Sequence, residues 1–245
     1  MDWTRLRFLF ALALLLGLPP GAQAQIDELP RPEDAHASSF GVSVALGDSL
    51  AAVGASGEHT CGPNGGAVYI YRQISASPFD EWRVTARLTP RPCTASAFFG
   101  DQIALSGHRL LVSAAGSDSI DGASPNAAYL FTRTDTGTWT QTTRFTPPDD
   151  SDYGPFAAGI DLDGDRAVVS TAGTLDTERD GAVYVYDYDA GVGTWRRSAR
   201  LTTRYASAPG VMGRSVALDG PHIAVAASTY FRGTPGSAHV FSRDA

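Results

Sequence analysis

The sequence predicts an all-β protein, a four-bladed β-propeller closed by a strand that lies ahead of the first blade. Two sets of spacings predict it. Four stretches align without gaps: "FGVSVALGDSLAAV" (40–53), "FGDQIALSGHRLLV" (99–112), "FAAGIDLDGDRAVV" (156–169) and "MGRSVALDGPHIAV" (212–225). Each ends on a valine thirteen residues after its first residue, and successive starts lie 56 to 59 residues apart. Further landmarks follow in the same order. "GGAVYIY" (65–71), "NAAYLF" (126–131), "DGAVYVY" (180–186) and "GSAHVF" (236–241) come next, then "WRVTARLT" (82–89), "WTQTTRFT" (139–146) and "WRRSARLT" (195–202). A period of this length, carrying one supersecondary unit per repeat, marks a repeat architecture.

Each unit reads as four short strands. The first alternates around Val44 and Leu46, Ile103 and Leu105, Ile160 and Leu162, or Val216 and Leu218. A tight turn rich in Gly, Asp and Ser follows, because hairpins need positive φ or a side chain that bonds its own backbone. The second strand ends at Val53, Val112, Val169 or Val225; a longer loop leads to the tyrosine-rich third; the fourth starts at Trp82, Trp139 or Trp195. Period-two alternation with β-branched and aromatic residues favours strands, and four-stranded units of this size are the blades of propellers.

The ends of the chain suggest how the ring closes. Leu88, Phe145 and Leu201 each precede the next repeat start by eleven residues, and Leu29 precedes Phe40 by the same count. "IDELPRP" therefore reads as a fourth strand with no blade before it, while the last repeat has no fourth strand after it. Strand 4 from the N-terminal side is expected to complete blade four. Residues 1–24 read as a signal peptide, 25–39 as the closing strand and linker, 40–97 as blade one, 98–154 as blade two, 155–210 as blade three and 211–245 as blade four.

The signal peptide rests on three parts: the basic start with Arg5 and Arg7, the uncharged run "FLFALALLLGL" (8–18), and the small residues of Ala22-Gln23-Ala24. Eleven apolar residues rise only about 16 Å as a helix, short of a bilayer core of about 30 Å. No membrane span is expected after its removal. The formal charge is −7, every one of the 19 basic residues is arginine, and no basic run suits a phosphate backbone, so nucleic acid is not an expected partner. In an exported chain the two cysteines, Cys61 and Cys93, are expected to form a disulfide. Neither has zinc-spaced neighbours.

At these residues the chain resembles the FG-GAP repeat family, the blades of integrin α-subunit propellers and of many secreted bacterial proteins. The Phe-Gly opening is present as Phe40-Gly41 and Phe99-Gly100 and decays to Phe156-Ala157 and Met212-Gly213. Gly-Ala-Pro survives only as Gly54-Ala55-Ser56, without its proline. The "W…LT" and "GAVYVY" landmarks look like the bacterial, calcium-less branch. The resemblance implies an extracytoplasmic propeller used for binding or as a structural module.

Several motifs imitate chemistry. "GDSL" (47–50) and "DGPH" (219–222) look like the nucleophile and acid/base blocks of a lipase family, but both fall on the hairpin turn between strands 1 and 2. A general base must come within about 3 Å of its nucleophile, closer than matching turns on neighbouring blades approach. "DLDGDR" (161–166) looks like an integrin-type calcium turn, Asp-x-Asp-x-Asp-Gly-x-x-Asp. Its sixth position is Arg166 and its ninth Val169, so the ligand set is incomplete. No metal and no cofactor are expected. Asp161 itself stands where the other repeats carry Ala45, Ala104 and Ala217, on the innermost strand. It is read as a hydrated channel acid or, with Gln102 beside it, as part of a polar ligand site.

The face that collects the long loops carries Glu58, His59, Asp118, Asp121, Asp176, Glu178 and Asp180 as candidate ligand-binding residues. Loops on a rigid scaffold are where binding usually sits. The expected function is a non-catalytic, secreted or periplasmic binding module for an extracellular protein or glycan. The alternatives are a hydrolase or lyase at the channel mouth and a purely structural piece of a surface protein.

Overall fold

The computed structural model describes residues 28–32, 39–76, 79–116, 126–148, 155–173, 181–202, 211–228 and 236–243. These residues form fifteen strands and no helix. The first sheet is β1 (Phe40–Leu46), β2 (Leu50–Ala55), β3 (Ala67–Ala76) and β4 (Phe79–Leu88). The second is β5 (Ile103–Ser106), β6 (Arg109–Ala114), β7 (Ala127–Arg133) and β8 (Trp139–Phe145). The third is β9 (Phe156–Asp163), β10 (Arg166–Thr171), β11 (Ala182–Asp189) and β12 (Thr194–Leu201), and the fourth β13 (Val211–Asp219), β14 (His222–Ser228) and β15 (Ser237–Ser242). Every sheet is an antiparallel meander in sequence order.

The valine that ends each repeat start sets a common register. Val53 lies opposite Tyr69, Val112 opposite Tyr129, Val169 opposite Tyr184 and Val225 opposite His239. The pairing of the third and fourth strands slips at the same place in three sheets, between Ile70 and Tyr71, Leu130 and Phe131, and Val185 and Tyr186. The extra residues are Thr85, Thr142 and Ser198, whose hydroxyls donate across to the carbonyls of Ile70, Leu130 and Val185 at 3.3 to 3.4 Å. A bulge of this kind adds right-handed twist, and its sequence mark is a hydroxyl residue three after each tryptophan.

Each sheet has a front face toward the preceding repeat and a back face toward the next. The back of sheet one, with Ala52, Val68 and Ile70, packs on the front of sheet two, with Val112, Tyr129 and Phe131. Leu111 and Leu130 on the back of sheet two meet Ile160, Val169 and Tyr184. Val168, Val183 and Val185 meet Met212, Leu218 and Val225 on the front of sheet four. The core is thus three layers between four sheets. The contact is close enough to exclude a side chain: a Cβ on Gly54 would lie 2.0 Å from the Gly100 carbonyl oxygen of the next sheet.

The ring closure expected from the offsets is not seen among the described residues. Among the described residues no strand pairs on the outer side of β15 and no substantial packing joins the fourth sheet to the first. Leu29 instead lies on the front of sheet one, against the cluster of Val53, Tyr69 and Tyr71 with Phe40. The neighbouring Pro30 carbonyl accepts a hydrogen bond from the Tyr71 hydroxyl at 2.8 Å. Leu29 keeps the relation to the following repeat that Leu88 has to Tyr129 and Phe131. Leu88 also pairs with Val68 of its own sheet; the corresponding pairing of Leu29 with β15 is not seen among the described residues.

Burial pushes the Tyr71 hydroxyl from 10.0 up to about 12. A group whose folded pKa is raised contributes stability that is complete below its unfolded pKa and lost as pH rises through the folded value. Two pH units correspond to about 2.7 kcal/mol at most. Wild type is therefore expected to lose about 2 kcal/mol more than Tyr71→Phe between pH 9 and pH 12. Urea unfolding of both proteins across that range checks the difference; equal losses would exclude Tyr71 as the titrating group.

Candidate functional site

On the loop side of sheet one, a dense set of bonds holds the segments that leave β2 and β4. Cys61 and Cys93 form the expected disulfide, with Cα atoms 5.1 Å apart, joining the two loops. Ser96 N–H donates to Pro63 O at 2.7 Å, Phe98 N–H to Asn64 O at 2.9 Å and Phe99 N–H to Gly65 O at 3.2 Å. The loop after β4 is also clamped to sheet two, since Gln141 donates to Arg91 O and accepts from Arg91 N–H, both at 2.8 Å.

Glu58, a candidate ligand-binding residue of the loop face, is 1 % exposed. Its carboxylate accepts from the Tyr69 hydroxyl at 2.6 Å and from the Thr60 hydroxyl at 2.5 Å, and it pairs with the Arg87 guanidinium. A buried charge needs such partners. Glu58 thus pins the loop to β3 and β4, while His59 beside it is exposed. Arg144 stacks over Tyr129 and Arg197 over Tyr184 at the same 5.8 Å that separates Arg87 from the Tyr69 ring. The Tyr129 and Tyr184 hydroxyls are buried and have no hydrogen-bond partner among the described residues. Asp118, Asp121, Asp176, Glu178 and Asp180 lie outside the described residues.

The inner strands carry the other candidates. Asp161 is half-buried; its Oδ1 accepts from Leu162 N–H at 2.8 Å and its Oδ2 from Leu218 N–H of the next sheet at 2.6 Å. Gln102 donates to Ala158 O at 2.5 Å and accepts from Ile160 N–H at 3.3 Å, both in the next sheet. Ser43 does the same for sheet one, donating to Gly100 O at 2.7 Å. Where the third repeat has Gly159 at this position, Ser170 substitutes, donating to Gly213 O. The polar residues expected to line a ligand site are ties from each sheet to the one that follows. The sequence showed them on one side of the strand; which surface that side would meet was not visible in it.

The motifs that imitate chemistry separate in space. Asp163 accepts from Gly220 N–H at 2.8 Å and Asp165 pairs with Arg109 at 2.5 Å, so the acids of "DLDGDR" are spent on different partners. The His222 ring bonds Ser242 across its own hairpin at 3.0 Å, and Ser49 is exposed in the first turn. Sequence reading missed a third kind of tie. Arg109 and Arg166, at one repeat position, donate to the turn carbonyls of Gly164 and Gly220 in the following sheets at 2.9 and 3.3 Å. The signal was an arginine two residues after the turn glycine in the second and third repeats.

A family model for the FG-GAP repeat matches residues 31–71, 82–131 and 139–186, together more than half of the chain. The chain belongs to the FG-GAP repeat family. No curated protein matches it. The geometry explains the FG-GAP opening: its second position has positive φ in all four repeats, 86° at Gly41, 93° at Gly100, 62° at Ala157 and 98° at Gly213. Glycine alone takes that conformation without strain. The fourth FG-GAP unit lies beyond the matched residues; there methionine replaces the opening phenylalanine and His239 the tyrosine.

Asp161→Ala restores the residue that the other three FG-GAP units carry at this position, yet it removes a charged acceptor from two backbone N–H groups. Hydrogen bonds to charged groups contribute about 1.5–3 kcal/mol. The variant is expected to lose about 2 kcal/mol in denaturant unfolding while keeping the strand signature in circular dichroism. No measurable loss would mean the carboxylate is satisfied by water instead.

Proposed function

We propose that this chain is an extracytoplasmic, non-catalytic binding module that takes an extracellular protein or glycan on its loop face. One observation supports the reading most. The loops of the first repeat are fixed by a disulfide, a buried Glu58–Arg87 pair and backbone bonds to the next sheet, while His59 and Thr60 stay exposed on top. A surface held in one conformation loses less entropy on binding. The disulfide and the family both favour an exported location. Asp161 and Gln102 being occupied as ties weighs against a hydrolase or lyase centred on them.

Binding is tested on the exported, oxidised protein by thermal shift against a panel of glycans and extracellular-matrix proteins. A saturable shift that His59→Ala weakens supports the reading. A shift indifferent to that change places the site elsewhere, and turnover of p-nitrophenyl esters that Ser49→Ala abolishes would replace the reading with an esterase.

A further inference from the structure

The two terminal sheets leave matching faces bare. On the front of sheet one, Val44 and Leu46 are 71 % and 73 % exposed. Their counterparts Ile160 and Leu162 are buried against the sheet before them. On the back of sheet four, Ala217, Ala224 and Ala238 are exposed and Val240 is 68 % exposed. The residues at the last three of these positions in sheet three, Val168, Val183 and Val185, are buried against the next sheet.

The polar ties are present at these ends as well. Ser215 holds the repeat position from which Ser43 donates to Gly100 O. Asp219 holds the position from which Ser106 and Asp163 accept the N–H groups of Gly164 and Gly220 at 2.9 and 2.8 Å. The groups they would meet on sheet one are the Gly41 carbonyl and the Asp48 N–H, both on exposed residues. Leu29 already covers the outer part of sheet one's front, in the place where Leu88 covers sheet two. What stays uncovered is the inner part of that face, and sheet four offers three strands.

We propose that these two faces are mates across copies: the back of sheet four of one copy packs on the front of sheet one of a second copy, beside Leu29. The contact continues an interface the chain already makes three times. Among the described residues the fourth sheet makes no substantial packing with the first, and a second copy presents on its sheet one the groups that match sheet four position by position. A head-to-tail contact of this kind closes into a ring or continues as a string. Two copies joined at both ends make a ring of eight sheets, within the range of known propellers.

The test is the mass in solution, by light scattering, of the chain exported with its leader and purified oxidised. Two or more copies per particle are expected. Val240→Arg and Leu46→Arg each place a charge on a face that is exposed within one chain, so both variants keep the circular dichroism of the parent. Each is expected to weaken association about a hundredfold or more, as burial of an unpaired charge demands. A wild type of single-chain mass at high concentration overturns the proposal, as does an assembly that both variants leave intact.

Discussion

Gly54→Ala is expected to cost the fold about 3 kcal/mol or more, a large effect for the addition of one methyl group. Gly54 sits in β2 with an ordinary φ, so its requirement for glycine is not conformational. The reason is what faces it. An added Cβ would lie 2.0 Å from the Gly100 carbonyl oxygen and 2.2 Å from the Ser43 Oγ. Gly100 is backbone just ahead of β5, itself held at φ 93°, where a Cβ of its own would lie 2.7 Å from the Ala67 carbonyl oxygen. The Ser43 hydroxyl at that spot donates to the same Gly100 oxygen. Neither neighbour moves without separating sheets one and two or breaking that bond. The measurement is guanidinium unfolding of Gly54→Ala beside Gly107→Ala, whose added Cβ meets nothing within 4 Å but whose φ is 56°. Gly107→Ala carries only the strain of a left-handed residue, about 1 kcal/mol. Equal losses in the two variants would mean that the sheets are not this close.

The repeat and its register were legible in the sequence because each landmark is tied to a local requirement. Val53 and its counterparts mark the register because a strand of alternating residues fixes every other one once a single position is set. The turn glycines mark hairpins for the same local reason. The disulfide was legible from the export pattern and from two cysteines in loops that share a face. What lay between repeats was not legible. Asp161 and Gln102 stood out as polar residues on an inner strand, yet a channel and a neighbouring sheet both follow such a strand, and only the distance to Leu218 and Ala158 separates the two cases. Glu58 was read as a ligand-binding residue because it lies in a loop of the face where binding usually sits; its partner Arg87 lies 29 residues on, and nothing local joins them. Leu29 keeps the offset of Leu88 and, like it, packs on the following repeat, a relation that is short in sequence; a pairing with β15 would span nearly the whole chain and is not seen among the described residues.

Arg87→Met is expected to destabilise the protein by about 3 kcal/mol, and to do so through the residue it abandons. The Arg87 side chain is 32 % exposed and would by itself tolerate neutralisation, but its partner Glu58 is 2 % exposed. Methionine keeps an apolar stem of similar length, so the loss isolates the guanidinium, including its place over the Tyr69 ring. The carboxylate then keeps the Tyr69 and Thr60 hydroxyls as donors and has no positive charge beside it. Breaking a buried pair by removing one member typically costs 3–5 kcal/mol, roughly, because the remaining charge stays desolvated. Glu58→Gln in the same background tests that cause. A neutral amide can still accept from one hydroxyl with its oxygen and donate to the other with its NH2, so the double variant is expected to recover about half of the loss, a coupling that a double-mutant cycle measures. The loop itself is a second readout. Its tip is held by the disulfide and by Gly66 N–H donating to Glu58 O at 2.8 Å, so Arg87→Met is expected to hasten proteolysis between residues 57 and 65 only after the disulfide is reduced. If the double variant is no more stable than Arg87→Met, the guanidinium contributes by packing, and the cause is not the stranded carboxylate.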